Sequence, residues 1–309
     1  MLVSPVDPFG EPVDLPLTLD GGQTFRWRLR ADGWWEGAAG PWAVALAVDP
    51  DLAPGEVRVE GGEGDRPDGP VREAVARLLD LERDYGALRR RLLEREPALA
   101  PAVAATRGLR IVRLSPWEAL LSFVLSSHTH IARIKQMLMR LCQAAGPEVD
   151  GEGLPLPAAL AAMGEPALRR LGLGYRAAFV ASIAERLCRE PGLLERGAEL
   201  PTAELVRYLQ ALPGVGAKVA HCVALFGYGR WDAFPIDRWA RRALQAVYFD
   251  GRRVPMGRLR SFVQARFGEL AGLAQAHLFA AARRQGTGRR RTGMAAERGE
   301  DRAAEDLPG

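Results

Sequence analysis

Lysine is nearly missing from this chain. Of 42 basic side chains in 309 residues, Lys135 and Lys218 are lysines and the rest arginines. The bias reads first as compositional drift, but it leaves each lysine in need of a chemical reason, because arginine could supply surface charge anywhere. Cysteine is scarce as well: Cys142, Cys188 and Cys222 are too few and too scattered for a disulfide framework or a four-thiolate cluster. No stretch reaches the ~18–20 apolar residues of a membrane span. Met1 to Leu17 lack the basic start and apolar core of a secretory leader. A soluble, cytoplasmic, reducing setting is expected, nucleoid-associated if the source is bacterial. The excess of positive charge is small, 42 basic against 38 acidic residues, so the net +4 is only a weak pull toward a polyanionic partner. At 48% hydrophobic and 26% charged, the chain is neither disordered nor fibrous, and its length suits two domains.

The first 60 residues read as strands. Apolar and basic residues alternate from Phe25 to Arg30, Asp32-Gly33 is a turn signal, and Trp42 to Val48 is continuously apolar, as a strand buried on both faces would be. Residues 61–70 are a glycine-, proline- and acid-rich break. From Val71 the period becomes helical, with an exposed Arg89–Arg95 stretch, a buried helix over Pro116–Ser126, and amphipathic helices over Ile131–Cys142 and Ala177–Cys188. The expected fold is α+β. A strand-rich antiparallel domain with helices (1–105) precedes a mostly helical domain (106–285), and a tail (286–309) without apolar period is expected to be disordered. No internal repeat is present, and a monomer is the expectation.

Thr202 to Gly227 is the most informative stretch. Thr202 is a good N-cap, and Leu205, Tyr208, Leu209 and Leu212 make an apolar stripe. Pro213-Gly214-Val215-Gly216 then reverses the chain into a second helix from Ala217. Two glycines bring bare backbone close to a ligand, and the unpaired N–H groups opening the second helix can hold a phosphate without reading sequence. A purely structural corner would look the same. Lys218 falls in that first turn, where the helix dipole disfavours an ammonium ion. There a lysine either becomes an amine nucleophile or grips a phosphate. Cys222, four residues on, shares its helix face. Asp237, in Pro235-Ile236-Asp237-Arg238-Trp239, is placed to cap the next helix. Beside Lys218 it would also supply the carboxylate that an oxocarbenium-like sugar centre needs.

Leu212-Pro213-Gly214-Val215-Gly216-Ala217-Lys218 followed by Pro235-Ile236-Asp237 resembles the helix-hairpin-helix DNA glycosylases. Gly22-Gln23-Thr24-Phe25-Arg26-Trp27-Arg28, Ile131-Ala132-Arg133-Ile134 and Leu171-Gly172-Leu173-Gly174-Tyr175-Arg176-Ala177 narrow the likeness to the 8-oxoguanine DNA glycosylase family, over roughly residues 12 to 285. The resemblance implies a bifunctional glycosylase and lyase acting on damaged double-stranded DNA without cofactor or metal. The damaged nucleotide is flipped between the domains. Lys218 then attacks C1′, a Schiff base forms, and β-elimination cuts the strand, with Asp237 supporting the cationic sugar. The same resemblance puts the lesion base between Cys222 and Phe279, with Gln275 on its Watson–Crick edge and the Gly22 carbonyl accepting the N7–H that marks oxidised guanine. It further implies that Tyr175 wedges into the duplex, that Arg133 and Arg176 recognise the orphaned cytosine, and that Gly214, Val215 and Gly216 hold a phosphate.

The chain departs from the family pattern at two positions. Ser126-Ser127-His128-Thr129-His130 replaces an asparagine run, so His128 stands where the family has its gap-filling asparagine, and strictness for cytosine is expected to relax. Trp239 replaces a phosphate-contacting histidine. His128 and His130, two apart, are no metal pair on a helix. Two alternatives remain. One is an alkylated-base glycosylase of the same superfamily, which would not need Lys218. The other is a non-catalytic helix-hairpin-helix DNA-binding protein, which would need neither Lys218 nor Asp237.

Overall fold

The computed structural model describes residues 2–4, 12–48, 57–61, 69–146 and 153–285. The expected tail therefore lies outside the described residues. Five antiparallel strands form one sheet in the order β1-β5-β4-β3-β2: β1 Leu2–Ser4, β2 Arg28–Leu29, β3 Trp35–Ala39, β4 Trp42–Ala47 and β5 Val57–Gly61. Its register pairs Trp35 with Leu46 and Leu46 with Val59, so these three buried side chains form one rib across the inner face. The helices are α1 Leu15–Leu19, α2 Gly69–Leu78, α3 Tyr85–Arg95, α4 Ala100–Ala105, α5 Pro116–Leu125, α6 Ile131–Ala145, α7 Pro157–Leu168, α8 Arg176–Arg189, α9 Leu193–Ala198, α10 Thr202–Gln210, α11 Ala217–Cys222, α12 Arg238–Tyr248, α13 Met256–Phe267 and α14 over 271–285. The α+β architecture agrees with the sequence reading.

Local readings succeed where caps and periodicity agree. Ser115 caps α5, whose residues Trp117 to Leu125 are all buried, because this helix runs through the middle of the core. Asp237 caps α12 through a 2.7 Å bond from the Ala240 N–H. Elsewhere packing overrides the pattern. β4 buries Val44, Ala45 and Leu46 but leaves Ala43 exposed, so it is buried on both faces at its middle and not along its whole length. The Phe25–Arg30 alternation yields a strand only at Arg28–Leu29, and Leu29 is exposed. Arg89 is buried rather than solvated. Thr202 is the first residue of α10, not its cap, and its hydroxyl bonds Asp232 at 2.7 Å. The helix α1, capped by Asp14 with proline in its first turn, interrupts what reads as an all-strand beginning.

One apolar core runs through both parts of the chain. Phe25 meets the Phe123 ring edge-on at 5.8 Å, and Phe123 stacks on Phe226 at 5.3 Å, so the loop after α1, the central helix α5 and the end of the hairpin's second helix share an aromatic spine. Gln23 is buried beside it. Its amide donates to the Arg110 carbonyl at 2.8 Å and accepts from the Val112 N–H at 3.2 Å, which fixes the loop to segment 109–112.

Candidate active site

At the head of that spine lies a cleft with about 500 Å³ of space including its mouth, lined by Gly21, Gly22, Gln23, Phe123, Lys218, Cys222, Pro235, Asp237, Gln275 and Phe279 among others. All six residues expected at the reaction centre and base pocket (Lys218, Asp237, Gly22, Cys222, Gln275 and Phe279) thus share one wall system, although they come from four separated segments. Lys218 sits in the first turn of α11, half-buried, with Nζ 2.9 Å from Ser126 Oγ and 5.1 Å from the centre of the Phe123 ring. The Ser126 hydroxyl donates to the Phe123 carbonyl at 2.7 Å, so its lone pairs are turned toward the amine. The ring and the hydroxyl hold a long, flexible side chain at the cleft wall.

Burial pushes the Asp237 carboxyl above its ordinary value, opposed by the Ala240 N–H, by Lys218, by the Trp239 N–H and by the charge of Arg238. Its N-cap role and its place in the cleft therefore coexist: one oxygen can close the helix while the group stays beside the lysine. Burial lifts the Cys222 thiol to about 11, with Lys218 pulling the other way, so the sulfur is neutral and serves as an apolar wall. Gln275 is buried, and its amide reaches the Pro235 carbonyl at 3.4 Å. Gly22 has φ +92°, and a Cβ there would lie 3.0 Å from Ile131 Cδ1 and 3.6 Å from Phe279 Cζ. The positive φ and the closeness of Ile131 favour glycine here, whereas the Phe279 ring lies at ordinary contact distance.

A second group of expected residues gathers on the surface nearby. Tyr175, 46% exposed, donates its hydroxyl to the Ser127 carbonyl at 3.1 Å. Arg176 is turned inward, with Nε 3.1 Å from the same carbonyl and Nη2 also bonded to it. Arg133 donates to the Gly172 carbonyl at 2.8 Å and to Gln136. His128 is exposed, with φ +49°. Tyr175 and Phe179 meet edge-on at 6.1 Å, and a Cβ on Gly214 (φ +74°) would fall 2.5 Å from Phe179 Cγ, so the hairpin and Tyr175 are neighbours. Val215 is buried and its N–H bonds the Leu212 carbonyl, whereas Pro213 and Gly216 are exposed. The N–H groups of the first α11 turn are left without intrahelical partners by helix geometry. Among the described residues no group of three or more His, Cys, Asp or Glu side chains is arranged to hold a metal, and no helix is long and apolar enough to cross a membrane.

The sequence assigned no role of their own to Ser126, Phe123 and Gln23, although Gln23 falls in a stretch that carries the resemblance and Ser126 in one that departs from it. A serine ending an apolar helix and a phenylalanine within one carry no local signal; only tertiary packing puts them against Lys218.

The comparisons with known proteins divide the chain into two matches. Residues 8–120 match the model of the 8-oxoguanine DNA glycosylase N-terminal domain, and residues 121–291 that of the HhH-GPD superfamily of base excision DNA repair proteins. The chain is 32% identical over 285 residues to N-glycosylase/DNA lyase OGG1 of Arabidopsis thaliana, covering 86% of this chain and 76% of that one. It is 27% identical to a probable N-glycosylase/DNA lyase of Methanothermobacter thermautotrophicus, covering 88% and 94% respectively. Among solved structures it resembles the 8-oxoguanine glycosylase/lyase of Clostridium acetobutylicum in complex with DNA containing cytosine opposite 8-oxoguanine, at TM-score 0.80 and 29% identity, over 89% of this chain and 93% of that one.

Proposed function

The chain belongs to the HhH-GPD superfamily of base excision DNA repair proteins, in its 8-oxoguanine DNA glycosylase branch, and from that premise we propose that its cleft excises 8-oxoguanine from duplex DNA and then cuts the strand. The observation that carries the assignment is the convergence of a half-buried lysine and a desolvated carboxylate on one cleft. A base must leave the stack to enter it. The Lys218 amine forms a bond to C1′ as the glycosidic bond breaks and the base departs with its electron pair. The sugar ring opens to a Schiff base, a C2′ proton is lost, and the 3′ phosphate leaves. Asp237, ionised beside the sugar, stabilises the positive charge that develops there.

The neutral Cys222 and the Phe279 ring are the two faces against which a planar base stacks. Gln275 meets its Watson–Crick edge, and the Gly22 carbonyl accepts the extra N7–H. Undamaged guanine offers a lone pair at N7, so the same carbonyl repels it. Gly214, Val215 and Gly216 hold a backbone phosphate, Tyr175 fills the space in the duplex, and Arg133 and Arg176 face the orphaned cytosine, Arg176 first exchanging the Ser127 carbonyl for the base. The strand-rich part, 1–105, and the helical part, 106–285, are the two domains that contribute to the cleft.

Borohydride trapping on a duplex with 8-oxoguanine opposite cytosine tests the chemistry. A covalent adduct is expected with the wild type and none with Lys218→Gln, which should keep duplex affinity within about threefold if Lys218 is a nucleophile and not a phosphate ligand. Free base without an adduct would replace the lysine mechanism with water activated by Asp237. His128 should make base-pair selection looser: His128→Asn is expected to steepen the preference for lesions opposite cytosine over adenine in single-turnover excision, and an unchanged ratio would remove His128 from that role.

A further inference from the structure

The chain's other lysine joins the cleft wall to the helix that carries the opposite-strand contacts. Lys135 lies on α6, one turn beyond Ile131, and its Nζ donates to Asp20 Oδ1 at 2.6 Å and to the Trp27 carbonyl at 2.7 Å. Those acceptors are the two ends of the segment 20–27, which has no strand or helix of its own and presents Gly21, Gly22 and Gln23 to the cleft. Its middle is fixed by Gln23 on Arg110 and Val112, and the Asp20 carbonyl also accepts from Arg283 of α14 at 3.1 Å. α6 itself touches the segment at Ile131, 3.0 Å from where a Gly22 Cβ would be. α6 also carries Arg133, which reaches across to the Gly172 carbonyl.

In a chain that uses arginine for nearly every other positive charge, a lysine here has a geometric reason. Two acceptors converge on one point, which a compact tetrahedral ammonium satisfies and a planar, diverging guanidinium does not. Lys135 is one-quarter exposed, so as a stabilising ion pair it is modest. Its consequence is positional, because it sets the distance between the two ends of the Gly22 loop.

We infer that Lys135, through Asp20 and Trp27, is a positioning residue for damage recognition, holding the Gly22 carbonyl in place toward the base without taking part in bond-making. The inference rests on the 8-oxoguanine reading above. It is tested with full-length wild type, Lys135→Met, Asp20→Ala and the double variant, in single-turnover assays on two duplexes, one carrying 8-oxoguanine and one a preformed abasic site that has no base to recognise. Misplacing the loop should slow base excision about tenfold or more, while cleavage of the abasic duplex stays within about twofold, since Lys218 and Asp237 are not displaced. The double variant should be no slower than Lys135→Met, because that variant already removes the one contact that Asp20→Ala breaks. Parallel loss on both duplexes would make Lys135 a merely structural residue and overturn the inference, as would unimpaired excision in Lys135→Met or additive losses. A wild type that acts on neither duplex would instead overturn the glycosylase reading, and this inference with it.

Discussion

Asp237 carries two duties that pull its chemistry in opposite directions. As the cap of α12 it accepts a backbone N–H, a role asparagine fills as well. As the carboxylate of the cleft it must be ionised in a place whose burial favours the protonated acid. The folded state thus binds its proton more tightly than the unfolded chain does. That contribution to stability is complete below the ordinary carboxylate value and is lost as pH rises through the raised folded value. Asp237→Asn should therefore unfold at a higher temperature than the wild type at neutral pH, and the gap should close toward pH 3, while excision falls by about 100-fold or more. Thermal melts at both pH values and a single-turnover assay check this; a lower melting temperature for the variant at neutral pH would mean that the charge is net stabilising. At this scale the sequence was informative about residue type and silent about neighbours. Lys218 and Asp237 stood out by their positions at helix starts, but Ser126, whose hydroxyl meets the Lys218 amine, ends a helix 92 residues earlier and carries no mark of it.

The hairpin between α10 and α11 is the element whose shape the sequence specified best. Its two glycines differ in what they permit. Gly214 combines φ +74° with a Phe179 ring that a Cβ would overlap, whereas Gly216 has φ −81° and open space around it. Gly214→Ala is expected to cost about 1–3 kcal/mol and to weaken duplex binding as the turn distorts. Gly216→Ala, at the N-cap of α11 with a φ that alanine adopts freely, should cost less, about 0.5–1 kcal/mol. Denaturant titrations of the two variants distinguish them; equal losses would show that Phe179 yields. Strands were less legible than helices. β2 shrinks to Arg28–Leu29 because the preceding residues leave the sheet to carry Gln23 and Phe25 into the core between α5 and segment 109–112, a long-range demand that no alternation in Phe25–Arg30 announces. The short helix α1 was missed because it is five residues long and its cap signal lies among apolar residues that read equally well as strand.

For the whole molecule, the aromatic spine makes the two parts of the chain one folding unit. Phe123 is buried against both Phe25 and Phe226, and Phe123→Ala should cost about 3–5 kcal/mol. The loss is expected in one cooperative transition shifted to lower temperature by both calorimetry and circular dichroism. Two separated transitions would show that the strand-rich part melts by itself. The α+β architecture, the hairpin and the catalytic candidates were legible in the chain's residues, because periodicity, caps and glycine turns are local and the family's motifs occur in order along the chain. The fold brings Gly22, Lys218, Asp237 and Phe279, separated by up to 257 positions in the numbering and set around one base by the family resemblance, onto one cleft. It alone decided that Arg176 rests inward on the Ser127 carbonyl and that Lys135 closes the Gly22 loop. Those relations depend on how helices pack around a shared core, and the contacts that bring them about are distant in sequence and leave no period in it.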